Sequence, residues 1–218
     1  MWKQRARLLI GAGMTATLAM ASTGALAAAG DWLVRVGPVN VSPNDDSGEL
    51  SGLAGAEVSV DGATSLGITI GYMLSDTLGI GVLGALPFKH EIQGEGAIAS
   101  LGKIAEVKHL PPTVTLQYHF APESGVRPFV GAGLNYTTFF SEETTGDLAG
   151  ITDSISLDNS FGLAAEAGVD IDLNQDWFLS AQLWYIDIAT EAKLGAGLGT
   201  IDVDINPWVL MIGAGRSF

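Results

Sequence analysis

The last eleven residues of the chain, Trp208-Val209-Leu210-Met211-Ile212-Gly213-Ala214-Gly215-Arg216-Ser217-Phe218, decide the fold. Counting back in twos from the final aromatic residue gives a mostly apolar face, and the interleaved face is made of smaller or more polar residues. A period of two is typical of a strand with one side toward hydrocarbon and the other toward an interior. Because an unpaired backbone amide is very costly in hydrocarbon, strands cross a membrane only when their sheet is closed. The stretch therefore predicts the closing strand of an outer-membrane barrel.

The beginning of the chain predicts export from the cytoplasm. Lys3, Arg5 and Arg7 precede an uncharged stretch rich in Ala, Gly, Leu and Met over residues 8–23, and Ala25-Leu26-Ala27 forms a small-residue cleavage site. We expect a secretory signal peptide over residues 1–27 and one barrel domain over residues 28–218. The alternative is an uncleaved membrane helix, for which residues 8–29 are long enough, although their Ala, Gly, Thr and Ser make a weak anchor.

Composition narrows the function classes. Cleavage would leave about 190 residues, enough for one small barrel without a second domain. The whole chain has a formal net charge of −14, and such an acidic protein is not expected to bind nucleic acid. Cysteine is absent, which excludes disulfides and thiolate chemistry. The acidic residues cluster, as is typical of exposed loops, in residues 45–61 and 142–158.

Eight strand-like stretches alternate with turns, which predicts an all-β, eight-stranded antiparallel up-and-down transmembrane β-barrel. The predicted strands are residues 32–41, 67–74, 78–88, 110–120, 129–140, 161–173, 177–185 and 208–218. Turns at 75–77 and 174–176 are short. Residues 90–107, 141–160 and 190–204 are predicted to be long loops, the first with a short helix around 97–107. Short turns at one end and long loops at the other are typical of periplasmic and extracellular sides.

The outward faces of the predicted strands fit a membrane better than water. In the third, sixth and seventh strands the outward rows contain no charge, whereas a soluble lipocalin-like barrel would reverse this pattern. Outward aromatic residues are expected in two interfacial girdles. The predicted girdle members are Trp32, Tyr72, Tyr118, Phe120, Trp177 and Phe218 at the short-turn end, and Phe88, Tyr136, Phe140, Phe161, Tyr185 and Trp208 at the long-loop end.

Four motifs carry a resemblance to a known family. They are Lys108-His109-Leu110-Pro111-Pro112-Thr113, the segment RPFVGAGLNYTTFF at residues 127–140, Asp176-Trp177 with Trp184-Tyr185-Ile186-Asp187, and Asn206-Pro207-Trp208. The chain resembles the OmpW family of outer-membrane proteins, which includes the AlkL-type alkane-uptake channels. It departs from the family pattern at Arg216, where Tyr is usual, and at Asn206, where Asp is common.

The resemblance implies both a compartment and a function. It implies a barrel in the bacterial cell outer membrane whose narrow apolar channel passes small hydrophobic molecules passively, with sideways release into the bilayer as one exit. The partners it implies are outer-membrane lipid, small hydrophobic solutes and, during biogenesis, the barrel-assembly machinery. Porin-like uptake of hydrophobic solutes is thus the expected function.

The inward rows of the predicted strands suggest where a passage would run. Small residues, among them Gly81, Gly131 and Gly168, leave space inside a barrel narrow enough for side chains to fill. Against these small residues the inward Leu83 and Trp184 are large and apolar, so we predict that they line the channel. The alternative is that both merely plug the barrel. A structural polar floor is expected from the inward Glu166, Asp170, Asp172 and His119.

Catalysis and cofactors are not predicted. His90 and His109 flank the first long loop, with Ser100 and Glu91 near in sequence, but no spacing signature links a nucleophile, a base and an orienting acid. The same two histidines lack a third ligand for zinc, and no cofactor or metal is expected. Three function classes stay open: a passive channel, a structural or surface-recognition barrel for ligand or phage docking, and an enzyme.

Overall fold

Antiparallel strands make up most of the computed structural model, which describes residues 28–120 and 124–218. Eight strands pair in a closed ring, in the order β1-β4-β5-β8-β9-β11-β12-β15 and back to β1. These barrel strands are β1 (Trp32–Ser42), β4 (Ala63–Met73), β5 (Leu78–Ala85), β8 (Thr113–His119), β9 (Val126–Thr144), β11 (Ser160–Asp172), β12 (Trp177–Ile186) and β15 (Trp208–Ser217). The predicted eight-stranded up-and-down barrel is confirmed. The predicted signal peptide, residues 1–27, lies outside the described residues and stays a prediction.

Inward and outward faces of the ring follow the predicted period of two. In β15, Leu210 and Ile212 are exposed on the outside, whereas Val209 and Met211 are buried inside. The predicted girdle residues face outward with one exception: Phe88 is only 1% exposed and lies in the interior. The reason is that Leu86 and Pro87 interrupt the strand, so the alternation restarts at Phe88 with the opposite phase.

Seven further strands form an extension beyond the long-loop end of the ring. Strands β7, β6 and β3 continue the sheet from the upper part of β9, and the other four form a separate sheet in the order β10-β13-β14-β2. The extension strands are β2 (Asp46–Ser47), β3 (Ala56–Val60), β6 (Phe88–Gly96), β7 (Lys103–Leu110), β10 (Ile155–Leu157), β13 (Ala189–Leu194) and β14 (Gly199–Asp204).

The extension corrects the predicted loops. Residues 90–107 are not a loop with a helix but the β6–β7 hairpin, which has one turn of 3₁₀ helix at Ala99–Leu101. Residues 190–204 form the β13–β14 hairpin. Within 141–160, β9 runs on to Thr144, a 3₁₀ helix spans Gly146–Gly150 and β10 follows. The loop prediction was wrong because Gly94, Gly96 and Gly102 favoured a loop in the sequence. In the structure these glycines lie near the end of the hairpin, where a Cβ on Gly94 would collide with Ile98 and where Gly96 and Gly102 adopt positive φ.

Prolines mark the junction between ring and extension. Pro87 separates β5 from β6, Pro111 and Pro112 separate β7 from β8, and Pro207 precedes β15. Each lacks the backbone N–H that a ladder requires. Strand β9 instead passes the junction without interruption for 19 residues, about twice the length that a tilted strand needs to cross a membrane. The chain therefore passes between ring and extension as a continuous strand at β9, whereas the strands are interrupted at these prolines.

Buried apolar side chains form one large cluster that fills the extension and the upper part of the ring. A second, small cluster of Leu33, Met73 and Phe178 lies at the short-turn end. Charged and hydrogen-bonding side chains occupy the ring interior between the two clusters. No helix in residues 28–120 and 124–218 is long and apolar enough to span a membrane. Along the barrel axis the interior is thus apolar in the extension and upper ring, polar in the middle of the ring, and apolar again in the small cluster at the short-turn end.

Candidate functional site

An apolar cavity, which we call the inner cavity, lies between the two walls of the extension. Its volume is about 40 Å³, and almost all of its lining is apolar. One wall comes from β3, β6, β7 and β9, and the other from β10, β13 and β14. Inward side chains of these strands alternate with outward charged ones such as Glu191 and Lys193, so each hairpin has one greasy face toward the cavity. Among the residues that line the inner cavity are Val60, Ile92, Phe139, Ile201, Val203 and Ile205.

A second apolar space, the outer cavity, lies farther from the ring and has a volume of about 130 Å³. All of its lining residues are apolar, and it shares Val58, Ile104 and Ile201 with the inner cavity. Leu53 and Ile151 line it and are also exposed to solvent. The two cavities therefore form a continuous apolar lining from the surface of the extension toward the ring.

Two histidines stand out in the inner cavity. The rings of His90 and His109 stack with 4.5 Å between centroids and an interplanar angle of 20°, and both residues are at most 2% exposed. Burial lowers the pKa of His90 and lowers the pKa of His109 to about 3, because the cavity disfavours the charged imidazolium. His90 Nδ1 lies 2.6 Å from the carbonyl oxygen of Asp61. The Nε2 atoms of both histidines are buried without a hydrogen-bond partner.

The predicted channel residues Leu83 and Trp184 lie just below the cavities, at the apolar end of the ring. Both point inward and belong to the large apolar cluster, with exposures of 5% and 1%. Neither lines the inner or the outer cavity. On the neighbouring strand Trp184 is paired with Glu166, and Leu83 is paired with Thr69. The two residues thus lie at the boundary between the apolar and the polar interior.

The polar part of the ring, which we call the plug, contains the predicted floor residues. Arg35 donates from Nη2 and Nε to the Asp170 carboxylate at 2.6 and 3.1 Å, and both residues are fully buried. Arg127 pairs with Asp172. The guanidinium of Arg35 also lies 5.3 Å from the ring centroids of Phe129 and Phe178. These ion pairs and the aromatic rings beside them therefore fill the interior of the lower ring.

A hydrogen-bond network continues the plug across four strands. The Glu166 carboxylate accepts from Thr115 Oγ1 at 2.6 Å, from Gln117 Nε2 at 2.9 Å and from Gln182 Nε2 at 3.3 Å. Gln182 in turn accepts from Thr69 Oγ1 at 3.2 Å. His119, the remaining predicted floor residue, stacks on Phe129 with 4.9 Å between centroids.

The inward glycines do not leave the open space that the sequence suggested. A Cβ on Gly168 would lie 2.3 Å from the Phe129 ring, and one on Gly81 would lie 2.3 Å from Gln117 Nε2. At Gly131 the nearest atom would be a carboxylate oxygen of Glu166, at 3.0 Å. The volume that these glycines free is filled by plug side chains, because a barrel of eight strands is narrow enough to be packed.

The ring wall has a break beside Leu83. The β5–β8 ladder ends at the pair of Leu83 with Thr113, and pairing resumes only at Phe88 with His109. Between these two described pairs, residues 84–87 form no ladder with residues 110–112. The prolines in both segments explain the break, since they supply no N–H. Below the cavities, the wall between the interior and the outside thus has a stretch without strand pairing.

Several of these features have no signal in the sequence. Arg35 and Asp170 are 135 positions apart, and nothing in the spacing links them. The groups weighed for catalysis do not meet: Glu91 accepts from Lys103 Nζ at 2.7 Å, and Ser100 lies exposed at the hairpin tip. His90 and His109 do come together, as their positions on either side of the predicted long loop suggested. Their burial could be inferred only once the segment was recognised as a hairpin.

Comparison with known proteins identifies relatives along the whole described chain. The profile of the OmpW family matches residues 28–218. Outer membrane protein W of Vibrio cholerae is 49% identical over 195 residues, which cover 87% of this chain and 89% of that protein. Outer membrane protein AlkL of Ectopseudomonas oleovorans is 29% identical over 195 residues, which cover 87% of this chain and 83% of that protein.

A solved structure agrees with the architecture. The crystal structure of the outer membrane protein OprG from Pseudomonas aeruginosa superposes with a TM-score of 0.82 at 38% sequence identity. The match covers 88% of this chain and 97% of that one. The exposed apolar face of the ring is therefore a lipid-facing surface.

Proposed function

The chain belongs to the OmpW family of outer-membrane proteins, and from this premise we propose that it is a passive channel through which small hydrophobic molecules enter the outer membrane. The observation that carries the proposal is the apolar lining that runs from Leu53 and Ile151 at the surface through both cavities to Leu83 and Trp184. A solute that follows this lining leaves water without burying polar groups that lack partners. A structural barrel would not require such a lining.

The plug directs the solute sideways. An apolar molecule that moved farther down the ring would have to separate Arg35 from Asp170 and Glu166 from its three donors, which leaves buried charges without partners. The break in the wall between residues 84–87 and 110–112 lies beside Leu83, above the plug. Exit through this break delivers the solute into the acyl chains, where an apolar molecule is already stable.

Uptake by intact cells tests the proposed function. The lipopolysaccharide leaflet slows apolar probes, so cells that lack their own family member serve as the background. We expect expression of the chain to speed the fluorescence rise of N-phenyl-naphthylamine as the probe reaches the acyl chains. No increase at equal barrel levels would contradict the channel and favour a structural or surface-recognition barrel.

Substitutions at the ring boundary test the route. Leu83→Trp should fill the site beside the wall break and return uptake to background, whereas Val82→Trp on the lipid face should leave it unchanged. Trp184→Ala should widen the passage and raise uptake, with Tyr185→Ala on the outer face as its control. Equal effects of the inward and outward changes would remove Leu83 and Trp184 from the route.

A further inference from the structure

We propose that a polar depression on the outward face of the extension, which we call the bulge pocket, binds the phosphoethanolamine headgroup of a membrane lipid. In this arrangement the phosphate group lies against Lys108 and the ammonium group lies against Glu143. The proposal goes beyond the channel, since it concerns a lipid bound outside the barrel. The volume of the bulge pocket is about 160 Å³, about five times the share of one water molecule in the liquid, and polar atoms of the lining reach the space. The lining residues are Lys89, Glu106, Val107, Lys108, Ser141 and Glu143.

The bulge pocket lies at the level of lipid headgroups. Lys108 is paired with Phe140 of β9, a member of the girdle at the long-loop end, and aromatic girdles lie at the membrane interface. Leu86, which shortly precedes Lys89 in the chain, is 60% exposed and belongs to the apolar outer surface. Acyl chains therefore end just below the pocket, and the headgroups of the adjoining leaflet lie beside it.

Charged side chains at the pocket are arranged in two rows that follow the order of charges in the headgroup. Lys89 and Lys108 are paired across β6 and β7 and form a basic row next to the membrane. One step farther out, Glu106 is paired with Glu91 on one side and with Glu143 on the other, which forms an acidic row. Like charges directly opposite each other repel. In a phosphoethanolamine lipid the phosphate follows the acyl chains and the ammonium group lies beyond it, so a bound headgroup places an opposite charge beside each row.

One cation and one carboxylate of the two rows lack partners. Glu106 is compensated by hydrogen bonds from Lys103 and Lys89, which lower its pKa. Lys108 and Glu143, in contrast, form no ion pair within the part of the chain that the structure describes. The bulge pocket therefore offers one uncompensated positive charge and one uncompensated negative charge, which fits a zwitterion better than a simple anion.

A β-bulge keeps these two charges apart. In the β7–β9 ladder, the pairs formed by Glu106 and Lys108 are separated by one residue on β7 and by two residues on β9. The extra residue belongs to β9, where Ser141 adopts a φ of 53°. Bulges re-aim side chains, and this one displaces Glu143 along β9, so that it does not pair with Lys108. Ser141 also lines the pocket and supplies a hydroxyl donor for the phosphate.

Native mass spectrometry of the folded barrel in detergent, titrated with three phospholipids, tests the inference. We expect phosphatidylethanolamine to bind about threefold more tightly than phosphatidylglycerol, which has no ammonium group, as one exposed ion pair allows. Phosphatidylcholine should also bind more weakly, because its ammonium group cannot donate a hydrogen bond. Glu143→Gln should abolish the preference over phosphatidylglycerol, and Lys108→Gln should weaken the binding of all three lipids. The matched controls Glu191→Gln and Lys193→Gln, at exposed positions elsewhere in the extension, should change neither result.

A measurement on the unmodified barrel does not depend on the variants. In bilayers that contain phosphatidylethanolamine, solid-state NMR that couples ¹⁵N to ³¹P should detect a contact between Lys108 Nζ and the lipid phosphorus. Equal binding of phosphatidylethanolamine and phosphatidylglycerol, a preference that survives in Glu143→Gln, or no contact at Lys108 would overturn the inference and leave the channel standing.

Competition with lipid A distinguishes the two membrane sources of this headgroup. Displacement of phosphatidylethanolamine only by lipid A that carries phosphoethanolamine would assign the site to lipopolysaccharide, and displacement by neither form would assign it to the phospholipid. Displacement by unmodified lipid A as well would show that the phosphate alone is recognised, which would overturn the role of Glu143.

Discussion

At the scale of single residues, the plug depends on buried charges that hold one another in place. Arg35 and Asp170 are fully buried, and their ion pair joins β1 to β11 across the ring. Removal of one member leaves the other charged and buried, which is far more costly than removal of both. The pair is therefore a strong constraint on the ring even though its net contribution relative to an apolar pair is small.

Replacement of Arg35 by Met measures this constraint. We expect a loss of about 3–5 kcal/mol in the free energy of unfolding, because Asp170 remains buried without its cation. Urea unfolding in lipid vesicles, followed by tryptophan fluorescence, gives the value. Arg216→Met is the control: Arg216 is exposed and 3.9 Å from Asp176, and its loss should change stability by less than about 0.5 kcal/mol. Equal losses in the two variants would contradict the role of the buried pair.

At the scale of elements, the barrel strands were predictable and the extension strands were not. A strand against lipid shows an apolar row without interruption, as in β11 and β12, and lipid forces the ring to close. The hairpins of the extension show alternation too, for example Ile201 and Val203 against Asp202 and Asp204. That pattern is typical of any half-buried strand and does not say what the strand packs against, so it does not distinguish a hairpin of the extension from a surface loop.

The same limit applies to the candidate site. Leu83 and Trp184 stood out in the sequence because they are large residues in rows of small ones. The cavities and the Arg35 pair depend on contacts between distant segments, which a period of two does not encode. Prolines were the missed clue: Pro87 and Pro111 mark the strand breaks from which both the extension and the wall opening follow.

The seam between the first and last barrel strands requires glycine. A Cβ on Gly213 would lie 2.3 Å from the carbonyl oxygen of Val36, and one on Gly37 would lie 2.2 Å from that of Ile212. Gly213→Ala should therefore force β1 and β15 apart and cost about 1–3 kcal/mol. Gly84→Ala, whose Cβ would meet the Ile68 side chain at an ordinary 3.8 Å, is the control. The same urea unfolding measures both, and unchanged stability in Gly213→Ala would contradict the tight seam.

The β6–β7 hairpin should loosen in acid. The pKa of His109 is lowered to about 3 by burial and by the neighbouring His90. In an opened hairpin the pKa of His109 would be about 6.5. The opened form binds the proton first, so stability is full above about pH 6.5 and falls as the pH drops toward 3. We expect a loss of about 2 kcal/mol at pH 5.

Hydrogen exchange detects this loosening. Amides of β6 and β7 should lose protection between pH 7 and pH 5 after correction for the intrinsic exchange rate, and amides of β12 in the ring should not. His109→Phe should remove most of the pH dependence, because Phe fits beside Phe88 and Phe139 and does not titrate. Protection that does not change with pH would contradict a buried neutral His109.

At the scale of the whole molecule, the chain is divided into a lipid-facing ring and the extension with its two apolar cavities, which we call the chamber. The ring closes through its own ladders, and the chamber is built from hairpins that pack face to face. Damage to the chamber should consequently spare membrane insertion and abolish uptake.

Val203→Lys tests this division. Val203 lines the inner cavity and is almost fully buried, so a lysine there should block apolar solutes, and uptake of N-phenyl-naphthylamine should fall to background. Asp202→Lys, one residue away on the exposed face of β14, should leave uptake intact. Folded-barrel mobility on unheated gels should be normal for both. Loss of this mobility in Val203→Lys alone would show that ring and chamber do not form independently.

The uninterrupted course of β9 has a consequence for engineering. This strand of 19 residues passes from the ring into the chamber. It therefore fixes the height above the ring and the angle at which a replacement hairpin must pair with it. Transplanting the β6–β7 hairpin of a relative between Pro87 and Pro111, with β9 retained, should transfer that relative's solute preference to this chain if the proposed channel function holds.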